Sequence, residues 1–192
     1  MATNDIQNRI TERNAAFAAT NKDYQALAMG QKPDCVVVAC SDSRVSPEII
    51  TGGKLGELFV IRTIGQALDD AAVASIEYPV AHLNVKNIVF MGHTECGAVK
   101  AALGMLNGDE LHEKTLAKVV KGLATNLSKE DSIVDAVQKN TEKQAQELLK
   151  RSAVIMNAVK RGDVEISVRI YDIRTGKLSE PHRIAIREKS RL

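Results

Sequence analysis

Three observations on this chain of 192 residues predict a three-layer α/β fold, with a central, mostly parallel sheet of four to five strands flanked by helices. The runs CVVVAC (35–40), ELFVIRT (57–63) and NIVFMGH (87–93) are short, β-rich and nearly continuously apolar, as strands buried on both faces of a parallel sheet are. Helical stretches separate these runs, and strand–helix alternation implies right-handed crossovers. The composition is 44% hydrophobic with three Phe, three Tyr and no Trp. The core must therefore come from Ala, Val, Ile and Leu, which suits helices packed on a sheet.

Residues 5–29 mix polar and apolar positions, with Ile6, Ile10, Phe17, Tyr24 and Leu27 spaced as in one or two amphipathic helices and Gly30 as a stop. With so little apolar surface, residues 1–30 read as an N-terminal helical arm that packs on something else. Helices are predicted within 69–83 (DDAAVASIEYPVAHL), 97–106 (GAVKAALGML) and, as one long stretch, 132–160. Residues 107–131 are mixed and charged and read as a poorly defined helix or surface loop. The run EISVRIYDI (165–173) alternates more than the others and is predicted at a sheet edge. No repeat or linker divides the chain, and its length suits a single domain over 1–192.

Charge and composition exclude several classes. The 26 basic and 24 acidic residues nearly cancel, and no Lys/Arg block or aromatic-basic interleaving is present, so nucleic acid is not an expected partner. The longest apolar run, Cys35 to Cys40, is too short to span a bilayer, and the N-terminus has no apolar h-region. The expectation is a cytoplasmic protein without membrane association. Its three cysteines then read as core residues, metal ligands or reactive thiols rather than as a disulfide framework.

Two donor clusters fall at the carboxyl ends of predicted strands, where open parallel sheets bind their ligands. Cys40 ends the first run; His93 ends the third, with Cys96 three residues later on a turn entering a helix. Together they form a Cys2His set that leaves one tetrahedral position open, the mark of a catalytic zinc site. HTEC alone carries little weight, since a buried Cys is usually a small hydrophobe. In CSDSR, Asp42 and Arg44 follow Cys40 closely enough to pair beside such a metal, although DSR alone suits an ordinary strand-end salt bridge.

The segments ACSDSRVSPE (39–48) and GHTECGA (92–98) together resemble the paired signature of the β-carbonic anhydrases. The resemblance extends from about Leu27 through IRTIGQ (61–66) and ASIEYPVAHL (74–83) to IYDIRTGKL (170–178). It implies a lyase that hydrates carbon dioxide reversibly to bicarbonate, with zinc (Zn2+) held by Cys40, His93 and Cys96 and hydroxide generated on the metal. Asp42 and Arg44 would form a dyad in which the arginine holds the carboxylate in its active orientation. Gly97, opening a helix, resembles the position whose backbone N–H helps place substrate; its other reading is a residue that permits a tight turn.

Gln31, Phe59, Ile64 and Tyr78 resemble the substrate-pocket residues of the plant-type branch, in which they reach the zinc of a neighbouring subunit. On the residues alone, Phe59 and Ile64 are equally plain core residues and Tyr78 a helix residue packed on the sheet. The mapping implies a homo-oligomer, a dimer or dimer of dimers, with the arm across its partner. Val37 stands where the bicarbonate-regulated branch carries Trp, which implies the open form with water as fourth ligand. One segment departs from the family, which has an Arg-Asn pair followed by another Asn where this chain reads Arg62-Thr63-Ile64-Gly65-Gln66. Two rivals remain: a hydrolase of carbonyl sulfide or carbon disulfide, and a non-catalytic zinc or redox module that would not need Asp42 and Arg44.

Overall fold

A computed structural model describes residues 3–20 and 24–186. It divides into two compact units, Met1–Gln31 and Lys32–Leu192. The first contains α1 (Thr3–Thr20) and α2 (Tyr24–Ala28). Ile6, Ile10 and Phe17 all lie exposed on α1, with nothing in the arm itself to cover them.

The second unit is built on β1 (Cys35–Cys40), β2 (Leu58–Thr63), β3 (Asn87–His93) and β4 (Glu165–Asp172), which lie in the order β2-β1-β3-β4 and are all parallel. Two short strands, β5 (Lys177–Leu178) and β6 (His182–Arg183), pair antiparallel with the outer side of β4. The sheet thus has six strands rather than four or five. They also correct the expectation that β4 is an edge, since both pair along its outer side, and β2 forms the opposite edge of the sheet among the described residues.

Helices α3 (Pro47–Thr51), α4 (Asp70–His82), α5 (Gly97–Leu106), α6 (Lys114–Ala124), α7 (Ile133–Arg151) and α8 (Ala153–Lys160) complete the layers. On one face of the sheet Val36, Val38, Ile88, Phe90, Ile166 and Val168 pack against α4, α7 and α8. On the other, Val37, Ala39 and Met91 are buried, with Ile50 of α3 against them. A second large cluster, formed by α5, α6 and α7, lies where β1 ends and includes Cys40 and Cys96. Among the described residues no helix is long and apolar enough to cross a membrane.

Two helix expectations are corrected. Residues 107–131 contain the well-formed α6, with Val120, Leu123 and Ala124 buried. The predicted helix over 132–160 is two helices broken at Ser152, whose hydroxyl accepts the Ile155 amide and donates to Glu77 Oε1 at 2.6 Å. That serine is an N-cap, and the new helix direction keeps Ile155 and Ala158 in the core.

Candidate metal centre

The chain runs from β1 to β2 on one side, then crosses to β3 on the other side of β1. The crevice of a parallel sheet opens at such a reversal, beyond the carboxyl ends of the diverging strands. Cys40 and His93 are the last residues of β1 and β3. Cys96 is the N-cap of α5. Their ligand atoms lie within 4.8 Å of one another, with the two sulfurs 4.0 Å apart, and all three residues are buried. Zn–S bonds of about 2.3 Å and Zn–N bonds of about 2.0–2.1 Å at tetrahedral angles require donor separations of roughly 3.5–3.8 Å. The set therefore closes on zinc with small adjustments.

His93 supports the same reading. Its Nδ1 lies 2.9 Å from the Thr94 carbonyl, which can only accept, so the proton sits on Nδ1 and Nε2 presents a lone pair. Nε2 is buried without a hydrogen-bond partner, an arrangement that a metal ion would satisfy. The two thiols are shifted in opposite directions. A hydrogen bond from the Cys96 thiol, aided by the backbone amides of Gly65 and Asp42, lowers Cys40 to about 4 against the effect of burial. The same sulfur contact, together with burial, raises Cys96, while the amides of Ala98 and Val99 at the start of α5 pull the other way.

Asp42 and Arg44 form the expected pair, and its geometry is bidentate. Arg44 Nε donates to Asp42 Oδ1 at 2.9 Å and Nη2 to Oδ2 at 2.6 Å, while the Arg44 amide also donates to Oδ1 at 3.0 Å. These bonds hold the Asp42 carboxyl well below the usual carboxylate range. A residue that motif reading did not single out completes the support: Arg62, on β2, donates through Nε to the Cys40 carbonyl at 2.9 Å and through Nη2 to the Asp42 carbonyl at 2.6 Å. The turn carrying the first ligand and the dyad is therefore pinned from the neighbouring strand.

The Thr63–Gln66 segment, where the sequence departs from the family, has its own solution. Thr63 donates to the Ala67 carbonyl at 2.7 Å, closing a 3-10 turn over Ile64–Gln66. Gln66 is buried at φ 57° and donates through Nε2 to the Met91 carbonyl of β3 at 3.0 Å. Asn140, fully buried on α7, donates to the Gly65 carbonyl at 2.9 Å. Gly65 itself is left-handed, and a Cβ there would lie 2.6 Å from Leu123 Cδ1. Gly92 plays a comparable part before His93, since a Cβ would collide with Thr141 Oγ1; its absence lets α7 approach β3.

The loop between His93 and Cys96 is fastened on its outer side. Glu95 has φ 60° and forms ion pairs with Lys100 and, at 2.8 Å, with Arg174. The Thr94 hydroxyl donates to Asp172 at 3.3 Å and accepts the Ile173 amide at 3.1 Å. Asp172 also accepts the Arg174 amide and the Thr175 hydroxyl, and these bonds lower its carboxyl. The sharp turn thus falls at Glu95. Gly97 is not at positive φ, and a Cβ added to it would meet nothing within 4 Å, so open space rather than turn geometry distinguishes that position.

The remaining pocket residues divide into three groups. Ile64 packs in the cluster that holds Cys40 and Cys96. Phe59 packs against the other large cluster, with the half-exposed Tyr78 ring 6.2 Å away and His82 beyond it at 5.2 Å. Gln31 lies exposed at the end of the N-terminal unit.

Known proteins resemble this chain in sequence and in fold. A family profile described as carbonic anhydrase matches residues 35–178. Carbonic anhydrase 2 of Mycobacterium tuberculosis is 38% identical over 164 residues, covering 81% of this chain and 78% of that protein. The carbonic anhydrase of Pseudomonas aeruginosa is 31% identical over 176 residues, covering 85% and 80%. Among solved structures, a tetrameric β-carbonic anhydrase from Sordaria macrospora superposes with a TM-score of 0.78 at 29% identity, covering 92% of this chain and 96% of that one. The β-carbonic anhydrase CafA of Aspergillus fumigatus gives 0.77 at 27% identity, with 96% and 93% covered. The buried Cys-His-Cys set, the fold and these relatives lead to one conclusion: the chain belongs to the β-carbonic anhydrase family and is a carbonate dehydratase, a lyase.

Proposed function

We propose that this chain holds zinc through Cys40 Sγ, His93 Nε2 and Cys96 Sγ and hydrates carbon dioxide reversibly to bicarbonate and a proton. The buried, unpartnered Nε2 facing two sulfurs beside a bidentate carboxylate–guanidinium pair carries this reading. When bound, zinc lowers the pKa of a water in its open position toward neutrality and so supplies hydroxide for attack on carbon dioxide.

The chain's own groups set the conditions for that chemistry. Asp42, kept ionised by Arg44, acts as the hydrogen-bond acceptor that orients the water, while the two arginine bonds restrain the carboxylate from becoming a ligand itself. Arg62 keeps Asp42 in register with Cys40. Open space at Gly97, on the first turn of α5, suits the anionic product.

The working unit in this proposal is a homo-oligomer. The exposed Ile6, Ile10 and Phe17 of α1 lie against a second copy, and Gln31, Phe59 and Tyr78 complete the pocket around the neighbour's zinc. The tetrameric assembly of the Sordaria relative supports this arrangement. Three free cysteines support a reducing, cytoplasmic setting. Zinc content and carbon dioxide hydration measured together test the site: Arg44→Ala should retain zinc and lose activity, and Cys96→Ser should lose zinc. Full zinc and full rate in both variants rule out the assignment.

A further inference from the structure

We propose that Thr94 and Asp172 are positioning residues for the metal: by aiming the Thr94 carbonyl they fix the tautomer and direction of the His93 ring, and so set how tightly zinc is held. The inference rests on the reading of Cys40, His93 and Cys96 as zinc donors and adds to it a device that lies outside the donor set.

A metal-ligating histidine depends on a partner at its second nitrogen, which fixes the ring and leaves the first nitrogen as a lone-pair donor. For His93, the last residue of β3, that partner is the carbonyl of the very next residue, 2.9 Å from Nδ1. Its direction is that of the Thr94–Glu95 peptide plane. The plane is followed at once by Glu95 at φ 60°, a left-handed conformation that an L-residue keeps only where its surroundings hold it. Whatever holds this turn therefore acts on the ligand.

The holding groups come from the far end of the chain. Tyr171 lies opposite His93 in the parallel ladder of β3 and β4, and the pairing runs one step further, with the Thr94 amide donating to the Tyr171 carbonyl at 2.9 Å. The Thr94 hydroxyl accepts the Ile173 amide at 3.1 Å and donates to Asp172 Oδ1 at 3.3 Å. Amide and hydroxyl are thus both committed to the hairpin, while the carbonyl faces His93. Asp172 also shapes the turn that presents the Ile173 amide, because Oδ1 accepts the Arg174 amide and Oδ2 the Thr175 hydroxyl, each at 2.9 Å. Arg174 adds its ion pair with Glu95 at 2.8 Å.

Zinc dissociation constants of the full chain, measured by competition with a chromophoric chelator, test the assignment. Thr94→Val keeps the shape of the side chain and removes the hydroxyl; it should raise the constant by roughly tenfold to a hundredfold, the usual loss when a partner behind a metal ligand is removed. Thr94→Ser, which keeps the hydroxyl, should stay close to the wild-type value. Asp172→Ala should act in the same direction as Thr94→Val, and the double variant should be no weaker than the worse single one, since both changes break one path. Ser179→Ala separates this role from general loosening of the hairpin. Its hydroxyl accepts the Ile170 amide at 2.9 Å, so thermal stability should fall while zinc affinity stays. An unchanged constant in Thr94→Val overturns the inference, as does an equal loss in Ser179→Ala or in Thr94→Ser. If the wild-type chain does not retain zinc, or Cys96→Ser retains it equally well, the donor reading falls and the inference with it.

Discussion

Replacing Gly65 by Ala should destabilise the protein by about 2–5 kcal/mol, as the sum of two separable effects. The backbone at φ 59° and ψ 27° is left-handed, which costs an L-residue about 1–2 kcal/mol. The new Cβ would lie 2.6 Å from Leu123 Cδ1 and 3.1 Å from Ala98 Cβ, overpacking of a kind that costs about 1–3 kcal/mol. Leu123 is 1% exposed and cannot swing aside into solvent. Leu123→Ala alone should cost about 2–5 kcal/mol through the void it leaves. In the double variant the methyl introduced by Gly65→Ala enters that void. The combined loss should then fall short of the sum by about 1–3 kcal/mol, the steric part, while the backbone part persists. Urea unfolding followed by circular dichroism, on proteins of equal zinc content, measures all three values. Thermal midpoints should fall by roughly 4–20 °C for Gly65→Ala. Additivity within about 0.5 kcal/mol, or a neutral Gly65→Ala, refutes the claim that this turn is wedged against α6.

Two further outcomes follow from the same region. Asn140→Ala removes the donor to the buried Gly65 carbonyl and should cost about 1–3 kcal/mol; it should also weaken zinc retention against a competing chelator, because the Gly65 amide faces Cys40, and unchanged values of both quantities contradict the positioning role. Arg44 depresses the folded-state pKa of Asp42, so its stabilising effect is present above the ordinary carboxylate pKa of about 3.9 and is lost as pH falls toward the folded value. The gap in thermal midpoint between wild type and Arg44→Ala should accordingly shrink on acidification below about pH 4, and a gap independent of pH counts against the linkage.

Much of the fold was legible because β1 and β3 are interior and mostly buried, and a strand covered on both faces must be apolar at almost every position. The signal for α6 was present in the spacing of Leu116, Val120 and Leu123, but Gly122 and the charged flanks obscure it. The break at Ser152 was hidden because the apolar pattern runs on through both helices. At the metal centre, the donors and the dyad lie in compact motifs and could be read directly. Arg62 and Asn140 could not: their partners are 20 to 75 residues away in the chain, and only the strand pairing and the packing of α7 bring them together. A buried-face position holding Asn140 between Val137 and Leu148 was the available hint.

The fastening of Thr94 and Glu95 by Asp172 and Arg174 has a consequence for the order in which the centre is built during synthesis. All three donors leave the ribosome well before the hairpin at 172–178 does, and a nascent chain that ends at α6 contains Cys40, His93 and Cys96 but neither clamp residue. In such a chain the left-handed Glu95, between the second and third ligands, keeps only its exposed ion pair with Lys100. The loop between His93 and Cys96 is therefore fully fastened only once residues 172–174 have docked against it.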